Sequence, residues 1–271
     1  MIFSIIYRKF KTAKNIYEDG GIKHFPRYLK RNFKRFSKNS QFKEINRLVV
    51  KEIEAHHLNI SKEMARSVSY TYCMGVQGDI AEFGTMTGYS AVAIATASNL
   101  MEFEYRNDKR GSKNLHFFDS FEGLPAAIND IDKSTPHVLD GIWAKGTCKG
   151  LTKVEFENLI DQYIGKNKFF VYEGWFKDTV QKIPDDVCFS LIHIDGDLYE
   201  SAIDALDFLF KRKKISQGAM ILFDDWNCNA ANPRLGEKRA FSEMVDKYKI
   251  NYSDEGGYSV GSHKFIINSY E

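Results

Sequence analysis

The regular alternation of short apolar runs with longer segments of helical periodicity constrains the fold more than any other feature of the sequence. Nearly continuous apolar runs are typical of strands that are buried on both faces. These runs occupy residues 79–83, 114–119, 168–173, 189–195 and 219–225. Helical periodicity is found at residues 41–58, 61–75, 88–101, 153–164, 200–212 and 237–248. The alternation predicts an α/β fold with a doubly wound, mostly parallel sheet.

Two further segments complete this outline. The sequence YSVGSHKFIIN near the carboxyl end predicts one or two closing strands. Residues 126–150 are too long for a plain connection between a strand and a helix, so we predict that they form a lid or substrate loop. Thr152 and Glu155 have the spacing of a capping box, which predicts that the next helix begins beside them.

The composition indicates an ordinary globular protein. With 271 residues and 43% hydrophobic content, the chain can form one α/β domain and an appendage. Its four cysteines lack the spacing of a zinc site or a disulfide framework, which favours a reduced, cytoplasmic setting. No apolar stretch approaches the roughly 20 residues of a membrane span. The opening MIFSIIY precedes basic residues rather than following them, unlike a secretory signal.

Residues 1–40 differ in charge from the rest of the chain. They hold eleven Lys and Arg residues and two acidic residues, a net charge of +9, whereas the remainder carries −7. Apolar side chains interleave with these basic residues at roughly helical spacing: Phe25, Tyr28, Leu29, Phe33 and Phe36. We predict an N-terminal helical arm at residues 1–40 and a main domain at residues 41–271. The arm is expected to pack on the main domain or on a second subunit of a homo-oligomer. Peripheral contact with an anionic membrane is an alternative, and nucleic acid is the least favoured partner.

Ligands of such sheets bind outside the carboxyl ends of the strands, so the residues that end each run are candidate site residues. Gly84 and Gly88 bracket a turn into a helix, whose free N–H groups favour a negatively charged or electron-rich ligand. Asp119 ends the second run, where a carboxylate commonly binds ribose hydroxyls. Glu82 and Gly84 give an E-x-G spacing that is more typical of S-adenosylmethionine enzymes than of dinucleotide sites. The alternatives are helix-entry glycines without a ligand and an Asp119 that only caps a turn.

The fourth and fifth runs end on acidic residues that should meet at one edge of the sheet: Asp195, Asp197, Asp224 and Asp225. Crowded carboxylates repel one another unless a cation lies among them. All-oxygen ligands point to a hard divalent ion, Mg²⁺ first, with Mn²⁺ or Ca²⁺ as alternatives. One of the paired acids could bind the metal while the other accepts a proton. The alternative is that these acids cap the following helices, and His193 in the same run is interpreted as a core or supporting histidine.

Several motifs in this order resemble the macrocin O-methyltransferase (TylF-type) family. They are GDIAEFGTMTGYSA, FFDSFEGLP, the W-x-x-G of residues 143–146, YEGWFKDT, IHIDGDLYES, ILFDDW and GEKRAF. The resemblance covers about residues 75–265, and FDSFEGLP and IDGDLYES are specific to the family rather than to the fold. The loop TMTGYS departs from the Arg-Gly-Gly type of loop that is more usual there.

The resemblance implies a class I, S-adenosylmethionine-dependent and Mg²⁺-dependent O-methyltransferase with a seven-stranded Rossmann-like sheet, which acts on a sugar hydroxyl of a small molecule or glycan. It implies cofactor-binding roles for Glu82, Gly84, Thr85, Gly88, Ser90, Asp119, Ser120, Gly174 and Trp175. It also implies that Asp195, Asp224 and Asp225 bind the metal and that Asp197 is the general base.

Two other functions are compatible with single motifs. In nucleotide-sugar glycosyltransferases a D-x-D after an apolar strand holds Mn²⁺ on a diphosphate, and the DGD of residues 195–197 fits that use as well. Such an enzyme has no need to combine it with the early glycine turn and Asp119. A non-catalytic cofactor-binding protein is the other alternative, although its acid cluster would be expected to decay, and here the cluster is intact.

Overall fold

A computed structural model describes residues 45, 47–49, 56–107 and 111–271 of the chain. The chain divides into two compact units, Met1–Ala55 and His56–Glu271. In the first unit, residues 45 and 47–49 are helical. The arm that the sequence predicts at residues 1–40, and its boundary with the main domain, lie outside the described residues.

The second unit is built on a seven-stranded sheet of order β3-β2-β1-β4-β5-β7-β6. The first five strands of this order pair in parallel, and β7 pairs antiparallel with both β5 and β6. The strands are β1 (Asp79–Phe83), β2 (Leu115–Asp119), β3 (Phe169–Glu173), β4 (Phe189–Ile194), β5 (Ile215–Phe223), β6 (Asn251–Gly257) and β7 (His263–Ser269). This confirms the predicted α/β fold and the mostly parallel sheet.

Helices connect the parallel strands and cover both faces of the sheet. They are α1 (His56–Cys73), α2 (Tyr89–Glu104), α3 (Asp130–Lys133), α4 (Pro136–Leu139), α5 (Lys153–Ile164), α6 (Phe176–Thr179), α7 (Tyr199–Lys211) and α8 (Gly236–Tyr248). The predicted capping box at the start of α5 is present, since Thr152 and Glu155 bond each other's backbone N–H groups. None of the helices in the described ranges has the length and apolar character needed to cross a membrane.

The doubly wound arrangement produces two apolar cores, one on each face of the sheet. One contains Ile192 and Phe223 of the strands with Leu209 of α7 and Phe241 of α8. The other contains Leu191 of β4 with buried residues of α1, α2 and α5, such as Val68, Ile94 and Phe156. Consecutive residues of β4 therefore enter opposite cores, because side chains alternate along a strand. All six residues of β4 are buried, as its continuous apolar run predicts.

Three boundaries differ from the sequence prediction. A single helix, α1, replaces the predicted break near residue 59, and its sequence contains no Gly or Pro that would interrupt it. Strand β6 was missed, because NYSDEGG at the sheet edge is mostly exposed and lacks an apolar run. The predicted loop at residues 126–150 contains the short helices α3 and α4.

The strand order brings the carboxyl ends of β3, β2, β1, β4 and β5 into one row. The connection direction reverses between β1 and β4, and open α/β sheets bind ligands at such a switch point. The candidate residues at the ends of the five parallel strands therefore face a common edge.

Candidate active site

A cavity of about 380 Å³ lies at this edge of the sheet. Ten of the residues predicted from the sequence line it: Gly84, Thr85, Ser90, Asp119, Ser120, Trp175, Asp195, Asp197, Asp224 and Asp225. Glu82, Gly88 and Gly174 were also predicted to hold the cofactor, and they are not among the lining residues. The candidate cofactor residues and the acid cluster thus share one cavity.

The glycine turn after β1 passes very close to the end of β4. Gly84 has φ +92°, and a Cβ there would overlap the carbonyl oxygen of Asp195, so a larger residue does not fit. Gly88 has φ +80° and precedes the first residue of α2. A Cβ on Gly88 would lie 2.9 Å from Leu159 of α5, which explains a packing role without direct contact with the cavity.

Asp119 ties the glycine turn to the end of β2. Its Oδ2 accepts hydrogen bonds from the backbone N–H of Thr85 at 2.7 Å and of Met86 at 3.2 Å. Its Oδ1 accepts one from the N–H of Phe121 at 2.7 Å. The predicted alternative of a turn-capping carboxylate is therefore present in the structure. Oδ1 retains acceptor capacity for a ligand hydroxyl, because a carboxylate oxygen can accept more than one hydrogen bond.

The remaining predicted cofactor residues form turns beside Asp119. The Ser120 hydroxyl donates to the carbonyl of Gly123 at 2.8 Å and closes the turn after β2. The N–H of Gly174 donates to the carbonyl of Asp119 at 2.9 Å, which places Trp175 next to the end of β2. Trp175 lines the cavity and supplies an aromatic surface on the β3 side.

Three carboxylates form a compact cluster at the ends of β4 and β5. Oxygen atoms of Asp195, Asp197 and Asp225 all lie within 4.8 Å of one another. Asp197 has φ +59°, and the N–H of Leu198 donates to the carbonyl of Gly196 at 2.6 Å, so a tight turn directs this part of the chain. Non-glycine residues with a left-handed backbone are uncommon overall, and those that occur are often found at functional sites.

Asp224, predicted as a metal ligand, lies beside this cluster and lines the same cavity. Its Oδ1 accepts a hydrogen bond from the hydroxyl of Ser262 at 3.0 Å. The structure thus groups Asp197 with Asp195 and Asp225, whereas the sequence prediction grouped Asp224 with them. Asp197 and Asp224 both line the same cavity.

The cluster strongly favours protonation or a bound cation. Burial first, and then the charges of the neighbouring aspartates, hold the pKa values of Asp195 and Asp197 well above the usual range. Burial and the charge of Asp224 raise the pKa of Asp225 to about 7. A divalent cation would offset the mutual repulsion that adds to the effect of burial on these pKa values.

His193 and Glu82 form a buried pair under the cavity. Nδ1 of His193 lies 2.9 Å from Oε1 of Glu82, and the side chains are 1% and 0% exposed. Burial alone would lower the pKa of His193, but the hydrogen bond and charge of Glu82 and the neighbouring aspartates outweigh it and raise that pKa. The sequence interpretation of His193 as a core or supporting histidine agrees with its burial and its pairing with Glu82, and the structure also places it at the cavity wall.

Sequence reasoning missed three groups next to the cluster. Oε2 of Glu237, at the start of α8, accepts a hydrogen bond from the N–H of Asp225 at 3.0 Å. The thiol of Cys228 donates to Oδ1 of Asp225 at 3.1 Å, and Cys148 lines the same cavity as Asp197. Glu237 lies in the GEKRAF motif, so its position was visible, but no spacing rule connects it with Asp225.

The segment of residues 126–150 is fastened to α7, which begins just after the acid cluster. Asp132 is fully buried, and its Oδ1 and Oδ2 accept hydrogen bonds from the N–H groups of Tyr199 at 2.8 Å and Glu200 at 3.1 Å. Asn129 donates through Nδ2 to the carboxylates of both Asp132 and Glu200 at 2.8 Å. The predicted substrate loop, residues 126–150, thus forms a wall of the cavity that is joined to α7.

Comparison with solved structures shows the same fold in known methyltransferases. The structure of the O-methyltransferase NovP matches with a TM-score of 0.62 at 20% sequence identity, covering 78% of this chain and 80% of that one. The calicheamicin methyltransferase CalS11 also matches with a TM-score of 0.62, at 18% identity, covering 87% of this chain and 89% of that one. At these identities the likeness concerns the fold.

Sequence comparison also identifies relatives that are named O-methyltransferases. One relative is the 8-demethyl-8-(2,3-dimethoxy-α-L-rhamnosyl)-tetracenomycin-C 4′-O-methyltransferase of Streptomyces olivaceus, 30% identical over 61% of this chain. Another is the demethyldecarbamoylnovobiocin O-methyltransferase of Streptomyces niveus, 28% identical over 68% of this chain. The matched regions span 59% and 66% of those relatives, less than two thirds of their lengths. The sequence model of the macrocin-O-methyltransferase (TylF) family matches residues 53–247, and the chain belongs to that family.

Proposed function

We propose that this protein transfers the methyl group of S-adenosylmethionine to a hydroxyl group of a sugar in a small molecule or glycan. The observation that carries the proposal is the single cavity, in which the glycine turn, Asp119 and Trp175 lie beside the carboxylate cluster. A methyl transfer needs a nucleoside site and an acceptor site in contact, and the candidate residues for both sites line this one cavity. Family membership supports the same reaction class.

The acceptor class is proposed from the relatives. Their names specify a rhamnosyl group in one case and a novobiocin precursor in the other, and both are called O-methyltransferases. A nucleotide-sugar glycosyltransferase, the alternative that the DGD motif permits, is not represented among the relatives reported above.

The donor set of the cavity fits a hard divalent cation. Asp195, Asp197 and Asp225 offer carboxylate oxygens within 4.8 Å of one another, and Oδ2 of Asp225 is buried without a hydrogen-bond partner among the described residues. All-oxygen donors are the ligands that Mg²⁺ and Mn²⁺ prefer. When bound, such a cation would lower the pKa of an acceptor hydroxyl and stabilise its oxyanion. From the family resemblance we assign Asp195, Asp224 and Asp225 as its ligands, since Asp224 lines the same cavity, and we reserve Asp197 for proton transfer.

Residues of the chain bind the cofactor, accept the proton and exclude water in this proposal. Trp175 and Asp119 bind the nucleoside part of the cofactor, and the glycine turn allows it to approach the backbone. Asp197 takes the proton of the acceptor hydroxyl at a carboxylate oxygen, because this side chain lies beside Asp195 and Asp225 where that hydroxyl is held. The wall formed by residues 126–150 excludes water and aligns the acceptor with the methyl group.

Calorimetry and methyl transfer test the proposal together. The purified protein should bind S-adenosylhomocysteine, and the addition of Mg²⁺ or Mn²⁺ should give a second binding event that Asp195→Asn weakens. Radiolabel from methyl-labelled S-adenosylmethionine should appear in a glycosylated acceptor from a panel of hydroxyl-bearing compounds. Binding of a nucleoside-diphosphate sugar without binding of S-adenosylhomocysteine would overturn the assignment.

The setting of the enzyme is part of the proposal. We place it in the cytoplasm, with residues 1–40 providing contact with an anionic membrane surface or with a second copy of the chain. The net charge of +9 in this segment and its interleaved aromatic residues support such contact.

A further inference from the structure

The floor of the cavity contains a buried nitrogen that the protein leaves without a partner. His193 is 1% exposed and lines the cavity. Its Nδ1 pairs with Glu82, whereas its Nε2 has no hydrogen-bond partner among the described residues. An unmade hydrogen bond at a buried polar atom is unfavourable, so native structures rarely leave one without a reason. The missing partner is therefore expected in the molecule that fills the cavity.

The position of His193 in the sheet indicates which part of that molecule it meets. His193 of β4 is the register partner of Glu82 of β1, so the pair lies at the switch point between these strands. Asp119 and Trp175 lie on the β2 and β3 side of it, where the nucleoside is placed. The carboxylate cluster lies on the other side, at the ends of β4 and β5. His193 thus lies between the nucleoside region and the acceptor region.

Glu82 cannot meet a ligand directly. Its side chain is fully buried, and it is not among the residues that line the cavity. Its Oε1 pairs with Nδ1 of His193, and carboxylates orient histidines in this way in many functional sites.

We propose, on the basis of the function proposed above, that Nε2 of His193 contacts the aminocarboxylate end of the S-adenosyl cofactor, and that Glu82 acts on the cofactor by orienting this imidazole. That end of the cofactor carries an ammonium group that donates hydrogen bonds and a carboxylate that accepts them. The contact can therefore form with either hydrogen-bonding state of Nε2. His193 is the binding residue in this assignment, and Glu82 is a positioning residue.

Two ligands that differ only at this end test the proposal. S-Adenosylhomocysteine has the aminocarboxylate, whereas 5′-methylthioadenosine has the same adenosine and sulfur but lacks it. In calorimetry, His193→Asn should weaken binding of S-adenosylhomocysteine by about tenfold, the effect of one lost hydrogen bond. Binding of 5′-methylthioadenosine should change by less than about twofold, because its contacts are retained.

The chain offers a matched control in a second buried histidine. His116 is also 1% exposed and lies 3.0 Å from a carboxylate oxygen, that of Asp79. Its other ring nitrogen is 3.1 Å from the hydroxyl of Tyr172, and it does not line the cavity. His116→Asn should therefore lower thermal stability, as His193→Asn does, without changing the ratio of the two affinities.

Glu82 variants test the positioning role. Glu82→Gln retains an oxygen that accepts from Nδ1–H, so the preference for S-adenosylhomocysteine over 5′-methylthioadenosine should remain largely intact. Glu82→Met removes that acceptor, and the preference should fall about as far as in His193→Asn. Equal preferences in the two Glu82 variants would contradict the positioning role.

A measurement on the unaltered protein covers the case in which the variants do not fold. With ¹⁵N-labelled histidine, the Nε2 resonance of His193 should shift on addition of S-adenosylhomocysteine and stay in place on addition of 5′-methylthioadenosine. Equal shifts with both ligands, equal weakening of both ligands by His193→Asn, or a loss confined to Mn²⁺ binding would overturn the contact. Failure of the wild-type protein to bind either nucleoside would instead refute the proposed function.

Discussion

Electrostatic repulsion is concentrated in the acid cluster, where carboxylate oxygens of Asp195, Asp197 and Asp225 lie within 4.8 Å of one another. Glu237 adds a further buried carboxylate behind Asp225. The thiol of Cys228 offsets part of this repulsion by donating a hydrogen bond to Oδ1 of Asp225. Protonation or the proposed cation would relieve the remaining repulsion, and substitution can separate the roles of the individual acids.

Asp197→Asn should leave affinity for Mn²⁺ and S-adenosylhomocysteine near that of the wild type and lower turnover by on the order of 10² to 10⁴, the usual contribution of a positioned base. Asp195→Asn and Asp225→Asn should instead weaken Mn²⁺ binding, and excess metal should partly restore activity. Mn²⁺ affinity by calorimetry and single-turnover methyl transfer provide the two readouts.

The outcome for Asp197 decides between the two groupings of acids. Loss of Mn²⁺ binding in Asp197→Asn, with binding retained in Asp224→Asn, would make Asp197 a metal ligand in place of Asp224. Normal turnover with metal bound would exclude Asp197 as the base.

Asp79 provides a prediction of pH dependence away from the site. Burial alone would raise the pKa of this carboxyl, but hydrogen bonds from His116 and Asn114 outweigh burial, and the pKa is lowered. A lowered folded-state pKa contributes stability that is present above the unfolded value near 3.8 and is lost as the pH falls through the folded value. Asp79→Asn should reduce the free energy of unfolding by about 2 kcal/mol at pH 7.

Urea denaturation between pH 3 and pH 7 would measure this effect, and the difference between Asp79→Asn and wild type should shrink below about pH 4. Asp185→Asn is a suitable control, because that side chain is 92% exposed. A difference that persists unchanged at low pH would show that the charge of Asp79 does not contribute.

Individual residues also show what sequence could and could not predict at the site. Asp195, Asp224 and Asp225 could be predicted from the sequence because they directly follow apolar runs, and parallel strands bring the ends of such runs together. Glu82 was selected through its E-x-G spacing, but its pairing with His193 could not be predicted, because that pairing depends on the register of β1 with β4. The contact of Glu237 with Asp225 depends on where α8 begins in space, which no local spacing specifies.

Among the elements, the wall segment of residues 126–150 determines how closed the site is. Its attachment through Asp132 replaces the missing side-chain cap of α7, whose N-cap residue Leu198 has no capping group. The first amides of a helix need such partners. The same carboxylate therefore stabilises α7 and holds the wall over the cavity.

Asp132→Ala should lower the free energy of unfolding by about 3 kcal/mol, because two helix N–H groups lose their buried acceptor. Asp132→Asn, which retains one acceptor oxygen, should have roughly half that effect. Limited proteolysis should show faster cleavage within residues 126–150 in Asp132→Ala. Asp130→Ala is the matched control, since Asp130 is an exposed residue of the same short helix. Equal cleavage of all variants would show that the wall is held by other contacts.

Elements were predicted unequally well from sequence, for a physical reason. Strands β1, β2, β4 and β5 were recognisable because burial on both faces requires continuous apolar runs, as in FSLIHI of β4. The edge strand β3 is only half-buried or exposed, and its apolar run alone identified it. The edge strand β6 escaped recognition because exposure permits a polar, glycine-containing sequence. The helices α3 and α4, of four residues each, are too short to show a period.

On the scale of the whole molecule, the chain combines a net-negative main part with a strongly basic N-terminal segment. The net charge of +9 in residues 1–40 contrasts with −7 elsewhere, and the site described above is built from residues beyond that segment. The charge separation indicates that cofactor binding and the role of the basic segment are independent.

Deletion of residues 1–40 should therefore leave affinity for S-adenosylhomocysteine unchanged and alter attachment to anionic vesicles or the oligomeric state. Vesicle sedimentation with phosphatidylglycerol-containing and neutral liposomes measures the first property, and analytical ultracentrifugation measures the second. Attachment to a membrane should weaken steeply with added salt, because exposed charges are screened within about 10 Å at 0.1 M ionic strength. A full-length variant with serine at Phe25, Phe33 and Phe36 separates the two roles, since it keeps the charge and removes the aromatic surface. If the truncated protein fails to fold, with no separate change in vesicle binding or oligomeric state for the serine variant, the segment is part of the catalytic domain and the predicted boundary is wrong.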